Sequence, residues 1–354
     1  MRARRFAPRP KPPRSVFSEM KSRNPRARRI KPRPRGKTVK NKGGTKNVCT
    51  CLAFYGDKFL FGRNMDVEYS FGERVAFVPR SFALRFGTEK QQTAHYAMLG
   101  TAAGDPDFPL FAEAVNEKGL CAAGLNFPKS AHYAESRAGG VHNVAPHEFI
   151  AWLLGQCESV SQAQALLENT RIVGERYKEL PAAPLHWMIA DASRCIVAEP
   201  RRDGLKIYRN DACVLANEPP FPYHLANLGN YAGLSAQPPQ SKFGALSVQA
   251  DWQGAGAHGL PGDAGSPSRF VRAAFLLHNA GREEGVAHFF HLLSGVEMVR
   301  GSVLTKEGKL DYTRYACCID AAAGKYYLRT YDSLSVREFS FAEEEDGQII
   351  FYEH

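Results

Sequence analysis

Cys49 stands immediately before the first alternating apolar stretch of the chain, "CTCLAFYGDKFLFGRNMD", residues 49–66. A cysteine at the head of a first strand can act as an N-terminal nucleophile. The α-amino group of the same residue, with an unperturbed pKa of about 7.7–8.0, then takes the thiol proton, so no distant histidine is required. That chemistry needs the peptide bond before Cys49 to be absent. Cys51, two residues on, is the competing thiol.

Other signatures are missing. There is no G-x-S-x-G elbow, no Walker A sequence and no H-E-x-x-H. "GAGAHG" at 254–259 matches G-x-G-x-x-G in form, but Leu260-Pro261-Gly262-Asp263 follows at once, so no helix opens there to receive a pyrophosphate. His288 and His291 lie in an apolar helical stretch without a third ligand and are expected to pack, not to bind zinc. The eight cysteines, at 49, 51, 121, 157, 195, 213, 317 and 318, are scattered without C-x-x-C spacing and are expected to be mostly buried thiols.

The elements that must position Cys49 follow from apolar periodicity. "CLAFYGDKFLFGRNMD" reads as a hairpin turning at Gly56-Asp57, and strand patterns follow at "RVAFVPR", "AHYAMLG" and "GLCAAGLNF". Two helices are expected in "APHEFIAWLLGQC" and "SVSQAQALLENT". "LHWMIADASRCIVAEP", "GLKIYRN" and "ACVLANEP" return to strands. Two more helices are expected in "SRFVRAAFLLHNA" and "EEGVAHFFHLLSGVEMV", then closing strands at "YACCIDA", "KYYLRTYDS" and "QIIFYEH". Blocks of strands separated by blocks of helices imply an α+β fold of stacked layers.

The formal charge of +10 misleads. Residues 1–48 carry 18 Lys and Arg against one acid, whereas the other 306 residues carry 28 bases against 35 acids. The basic character belongs to a lead whose seven prolines and like charges cannot offset ordering entropy, so 1–48 is expected to be disordered and 49–354 to form one domain. The lead lacks the roughly 7–15 apolar residues of a secretory signal, and no run reaches the ~18 of a membrane span, so a cytoplasmic protein without membrane contact is expected.

Several ordered motifs carry a resemblance: "VCTCLAF", "FGRNMDVEYSF", "NEKGLCAAGLNFP", "PLHWMIAD", "VLANEPPFPYH" and "HGLPGDAGSPSRFVRAAF". From about residue 48 to the C-terminus the chain resembles the choloylglycine hydrolase family of bile salt hydrolases and penicillin V acylases. The resemblance implies an N-terminal-nucleophile hydrolase fold, a four-layer αββα sandwich, and cleavage of a linear amide bond without metal or cofactor. It implies Cys49 as nucleophile, Asp66 orienting the Cys49 amine, and Arg63 beside the sulfur favouring the thiolate. Asn126 and Asn217 match the oxyanion-hole pair, and Arg269 of "SRF" matches the remaining family arginine. The family has a small residue at position 51, so Cys51 is read as a buried apolar side chain. In "ANEP" the family's usual Thr and Ser are replaced by Ala216 and Glu218, which sets a new carboxylate beside Asn217.

Asn126, "NMDVEYSF" and "FPLFAEAVNEKGL" bring the likeness nearer to bile salt hydrolases, whose small-molecule substrates are glycine or taurine amides of a bile acid. Tyr69, Phe71 and Phe127 are the expected pocket walls. A penicillin V or N-acyl-homoserine lactone acylase would use the same residues, and a non-enzymatic nucleic-acid-binding protein would need the basic lead in place; no nucleic-acid partner is expected. A homotetramer is implied, with "NLGNYAGLSAQPPQSKFGALS" where the family's assembly loop lies. Val48 occupies the family's initiator-Met position, and GTG, a valine codon, also serves as a bacterial start. The lead is therefore expected to reflect a start assigned too far upstream, with a removed propeptide as the alternative. A nucleotide sequence without GTG at codon 48 ends that account.

Overall fold

The computed structural model describes residues 48–352 apart from 242, 247, 249, 251, 283–284 and 343–346. The lead expected over 1–48 lies outside the described residues except for Val48, which opens the first strand.

The hairpin forms as its alternation requires. Strands β1 (Val48–Tyr55) and β2 (Phe59–Asp66) pair antiparallel around a turn at residues 56–58, with Val48 opposite Asp66, Cys49 opposite Met65 and Cys51 opposite Arg63. Then come β3 (Glu73–Val78), β4 (Met98–Ala103), β5 (Leu110–Asn116) and β6 (Cys121–Asn126). A short parallel pair, β7 (His142–Val144) and β8 (Thr170–Ile172), brackets α1 (Phe149–Leu154) and α2 (Val160–Glu168). The Ser159 side chain caps α2 by accepting from Gln162 N. Strands β9 (Leu185–Ala190), β10 (Cys195–Arg201), β11 (Gly204–Arg209) and β12 (Val214–Leu215) lead into α3 (Phe221–Leu228). After α4 (Ser266–Asn279) and α5 (Val286–Ser294), the chain closes with β13 (Val303–Leu304), β14 (Leu310–Asp311), β15 (Thr313–Asp320), β16 (Lys325–Thr330), β17 (Ser333–Ser340) and β18 (Ile350–Phe351).

Two antiparallel sheets result, ordered β12-β1-β2-β15-β16-β17 and β11-β10-β9-β6-β5-β4-β3-β18. Period-two alternation divides the second between two cores. Ala123, Leu125, Met188 and Ala190 face the first sheet, whereas Ala122, Trp187 and Ile189 face α1 and α2. Phe149 stacks on Trp187 there, with ring centroids 4.0 Å apart. Burial on both faces is why these strands read as nearly continuous apolar runs. Helices α4 and α5 cover the far side of β1, β2 and β15 through residues such as Phe270 and Phe289. The order helices, sheet, sheet, helices is the expected αββα sandwich.

Seven elements are absent from the sequence reading: β7, β8, β13 and β14, which are only two or three residues long, and β5, β17 and α3. β5 mixes Glu113 into an apolar run, β17 is mostly exposed, and α3 carries Pro222 in its first turn, where a missing N–H costs nothing. Gly62 is required by close approach: a Cβ there would meet the Cys317 carbonyl and the Phe289 ring. Among the described residues no helix is long and apolar enough to cross a membrane.

Candidate active site

Cys49 lies at the end of β1 on the face that looks between the sheets. Its Sγ is 4.0 Å from Met65 Sδ, and its backbone nitrogen donates to Asn217 Oδ1 at 2.7 Å. Burial pushes the thiol pKa up. The positive charges of Arg63 and Arg269 and the Asp66 backbone N–H draw it back down, while the Asp66 carboxylate adds to the rise. Cys51 points into the same core two residues deeper, fully buried with its pKa raised by burial.

Arg63 reaches the site from β2, opposite Cys51, with its guanidinium wholly buried between the sheets. Nη1 donates to Gly124 O at 2.5 Å and Ala112 O at 3.3 Å, and lies 3.7 Å from Glu113 Oε2. Nη2 approaches Met65 Sδ at 3.6 Å. Glu113 accepts from Tyr315 Oη at 3.0 Å and Tyr326 Oη at 2.7 Å, so both partners of this buried pair are well bonded. Burial works against the Arg63 charge, but the thiol of Cys49 and the Glu113 carboxylate outweigh it and raise the pKa.

Arg269 arrives from the opposite side, on the first turn of α4. A cation there opposes the helix dipole, by about 0.3–1 kcal/mol at exposed sites, so its bonds must hold it in place. Nη1 donates to Cys49 O at 2.7 Å and to Thr50 Oγ1, Nη2 to Asn217 Oδ1 at 2.9 Å, and Nε to Ala264 O at 3.0 Å. Asn217 is held in turn: its N–H donates to Ser266 Oγ, its carbonyl faces His224 Nε2 at 2.9 Å, and its Nδ2 donates to Asn126 O at 2.9 Å. Burial lowers the His224 pKa to about 4, which keeps that ring neutral and able to donate to the carbonyl.

Asp66 is buried at the end of β2, where Thr313 Oγ1 donates to Oδ1; Oδ2 has no partner among the described residues. Burial raises its pKa to about 6 against the pull of Arg269 and Thr313. With Val48 attached, the Cys49 nitrogen is a peptide N–H whose one hydrogen goes to Asn217 Oδ1, while the Asp66 backbone N–H draws the thiol pKa down. Asp66 is registered with Val48, one residue before the cysteine.

The other five expected site residues, Arg63, Asp66, Asn126, Asn217 and Arg269, are thus gathered around Cys49. The pocket walls are less uniform: Tyr69 and Phe71 pack half-buried at the core edge, but Phe127 is fully buried with its ring stacked on His186 at 4.2 Å, a core position. A cavity of 810 Å³ lined by Arg80, His95, Tyr96, Glu117 and Lys118 does not touch Cys49. Among the described residues no group of three His, Cys, Asp or Glu is set to hold a metal, and His288 packs near Phe54 with ring centroids 6.0 Å apart. Glu113, Thr313, Ser266 and His224 were not foreseen. Only Glu113 left a signal, as a lone acid within the apolar run "LFAEAV".

The profile for linear amide C–N hydrolases of the choloylglycine hydrolase family matches residues 49–347. The chain is 42% identical over 303 residues to a bile salt hydrolase/transferase of Lactiplantibacillus plantarum, covering 84% of this chain and 93% of that one. It is 40% identical over 314 residues to a bile salt hydrolase/transferase of Clostridium perfringens, covering 86% and 95%. The crystal structure of a cysteine-to-alanine mutant of conjugated bile acid hydrolase from Clostridium perfringens superposes with a TM-score of 0.81 at 38% identity, covering 86% of this chain and 97% of that one. Penicillin V acylase from Agrobacterium tumefaciens, at 21% identity and a TM-score of 0.67 over 82% and 86% of the two chains, shares the fold. With a first-strand cysteine ringed by two buried arginines, a buried aspartate and two asparagines, this chain belongs to the choloylglycine hydrolase family of linear amide C–N hydrolases.

Proposed function

We propose that the protein hydrolyses the amide bond of glycine- or taurine-conjugated bile acids, with Cys49 as nucleophile and its own amine as base. The observation that carries this is the grip on the Cys49 nitrogen: Asn217 Oδ1 accepts from it at 2.7 Å, and Arg269 holds both that oxygen and the Cys49 carbonyl. A merely structural thiol needs no such grip on its backbone. The substrate class follows from the relatives named bile salt hydrolase/transferase.

The mature chain begins at Cys49 in this reading, so the nitrogen is an α-amine. It takes the thiol proton, Sγ attacks the amide carbonyl, and Arg63 and Arg269 stabilise the thiolate. Asn217 Nδ2 carries two hydrogens, one of which goes to Asn126 O; the second, with Asn126, serves the developing oxyanion. The C–N bond breaks as the amine returns its proton to the leaving nitrogen, leaving an acyl-thioester. Water then attacks, releasing the bile acid and restoring the thiol. Eight unpaired cysteines suit the reducing cytoplasm. Exposed Tyr223, Leu225, Phe243, Leu246 and Trp252 around the expected assembly segment favour a homotetramer.

Intact mass of the purified native protein, followed by turnover of glycocholate, taurocholate and penicillin V, tests the proposal. A chain starting at Cys49 that prefers the cholates, and loses turnover by more than about a thousandfold in Cys49→Ser, is expected. Retained turnover in that variant removes Cys49 from the mechanism, and preference for penicillin V removes the substrate class.

A further inference from the structure

Glu218 follows Asn217 directly, and its carboxylate is engaged away from the sulfur. Oε1 accepts from Lys129 N at 2.7 Å and Ser130 N at 2.8 Å, and Oε2 accepts from Ser130 Oγ at 2.8 Å. These two N–H groups open a single helical turn closed by Ala131 N to Phe127 O at 3.0 Å, so the carboxylate caps it as a negative group caps a helix start.

That turn follows Asn126 directly, and the 216–218 segment is tied to it at three successive residues. His186 Nε2 meets Ala216 O at 2.9 Å while its ring stacks on Phe127. Asn217 Nδ2 donates to Asn126 O, and Glu218 holds Lys129 and Ser130. The glutamate oxygens lie four bonds from Cα, a serine oxygen only two, so in this backbone position a serine cannot span the same gap.

We propose that Glu218 is a positioning residue that fixes the 126–130 turn against Asn217, and so sets the spacing of the two asparagines, without touching substrate. This rests on the proposed amide hydrolysis at Cys49. Displacements of about 1 Å at such groups can cost up to about a hundredfold in rate, and they act on the transition state more than on ground-state binding.

The test compares Glu218→Ala and Glu218→Gln in the mature enzyme with glycocholate, together with iodoacetamide alkylation of Cys49 and amide hydrogen exchange. The Ala variant is expected to lower kcat about tenfold with KM within about threefold, at an unchanged alkylation rate. The Gln variant is expected to restore kcat to within about threefold of the parent, because its amide oxygen accepts both N–H groups and its Nε2 donates to Ser130 Oγ. Exchange at the Lys129 and Ser130 amides should quicken in the Ala variant alone. Parent-like kcat in Glu218→Ala overturns the proposal, and so does a Gln variant as slow as Ala, since charge would then matter instead of position. If the parent turns over no conjugated bile acid, the functional reading fails separately; the exchange rates still decide the clamp, and unchanged protection in Glu218→Ala overturns it.

Discussion

Two fully buried arginines flank Cys49 and are held by different means. Arg63, between the sheets, faces the Glu113 carboxylate at 3.7 Å, and its pKa is raised. Arg269, under the helical layer, donates to the Cys49, Thr50, Ala264 and Asn217 oxygens, all neutral, and burial lowers its pKa although Asp66 and the thiol pull the other way. The first is a charge balanced in the core; the second is a bracket that ties the nucleophile's own backbone to Asn217. Both charges act on the thiol, Arg63 the more strongly, but only Arg269 also places it, from the opposite face of one strand pair.

The largest expected effect breaks the first side. Arg63→Met strands Glu113 without its cation and should cost about 3–5 kcal/mol in urea unfolding at pH 7, with Glu113→Gln added on top recovering part of that. A double variant no more stable than the single would show that the pair is not the reason. On the second side, Arg269→Met leaves acceptors that can partly find other donors, so a loss of about 2 kcal/mol is expected. Its kcat should nevertheless fall about a hundredfold, because Cys49 and Asn217 both lose their tether. Equal stability losses for the two arginine variants would erase the contrast.

The smallest effect sharpens the contrast through pH. An unfolded aspartate titrates near about 3.9, whereas burial raises Asp66 to about 6 in the fold, so the folded state holds this proton more tightly. Stability contributed by the protonated carboxyl is complete below about pH 4 and is lost as pH rises through 6. Asp66→Asn removes that loss, and the variant should gain about 1–2 kcal/mol on the parent between pH 4 and pH 8. Parallel stability curves for the two proteins across that range would contradict it.

How much was legible follows from sequence distance. The β1–β2 hairpin and its turn depend on alternation over 18 residues, whereas the placing of Arg63 and Asp66 beside Cys49 rests on the family resemblance. Glu113 was missed because one acid in an apolar strand signals burial only once its arginine is known to lie across the sheet gap. The grip of Asn217 on the Cys49 nitrogen was missed because the two residues lie 168 positions apart. Glu218 looked like a charge set against the oxyanion donors; three bonds to residues 129 and 130 instead make it part of the scaffold.

Local alternation, turn residues and the order of motifs determined most of the strands and helices, the layered class and the family, because each is written in neighbouring residues. Tertiary structure alone decided which oxygen takes the Cys49 nitrogen, which arginine is balanced by a carboxylate, and what Glu218 holds. Hydrogen bonds have directions and a reach of about 3 Å, and which groups from β5, α4 and the 216–218 segment come within that reach is set by packing two sheets together.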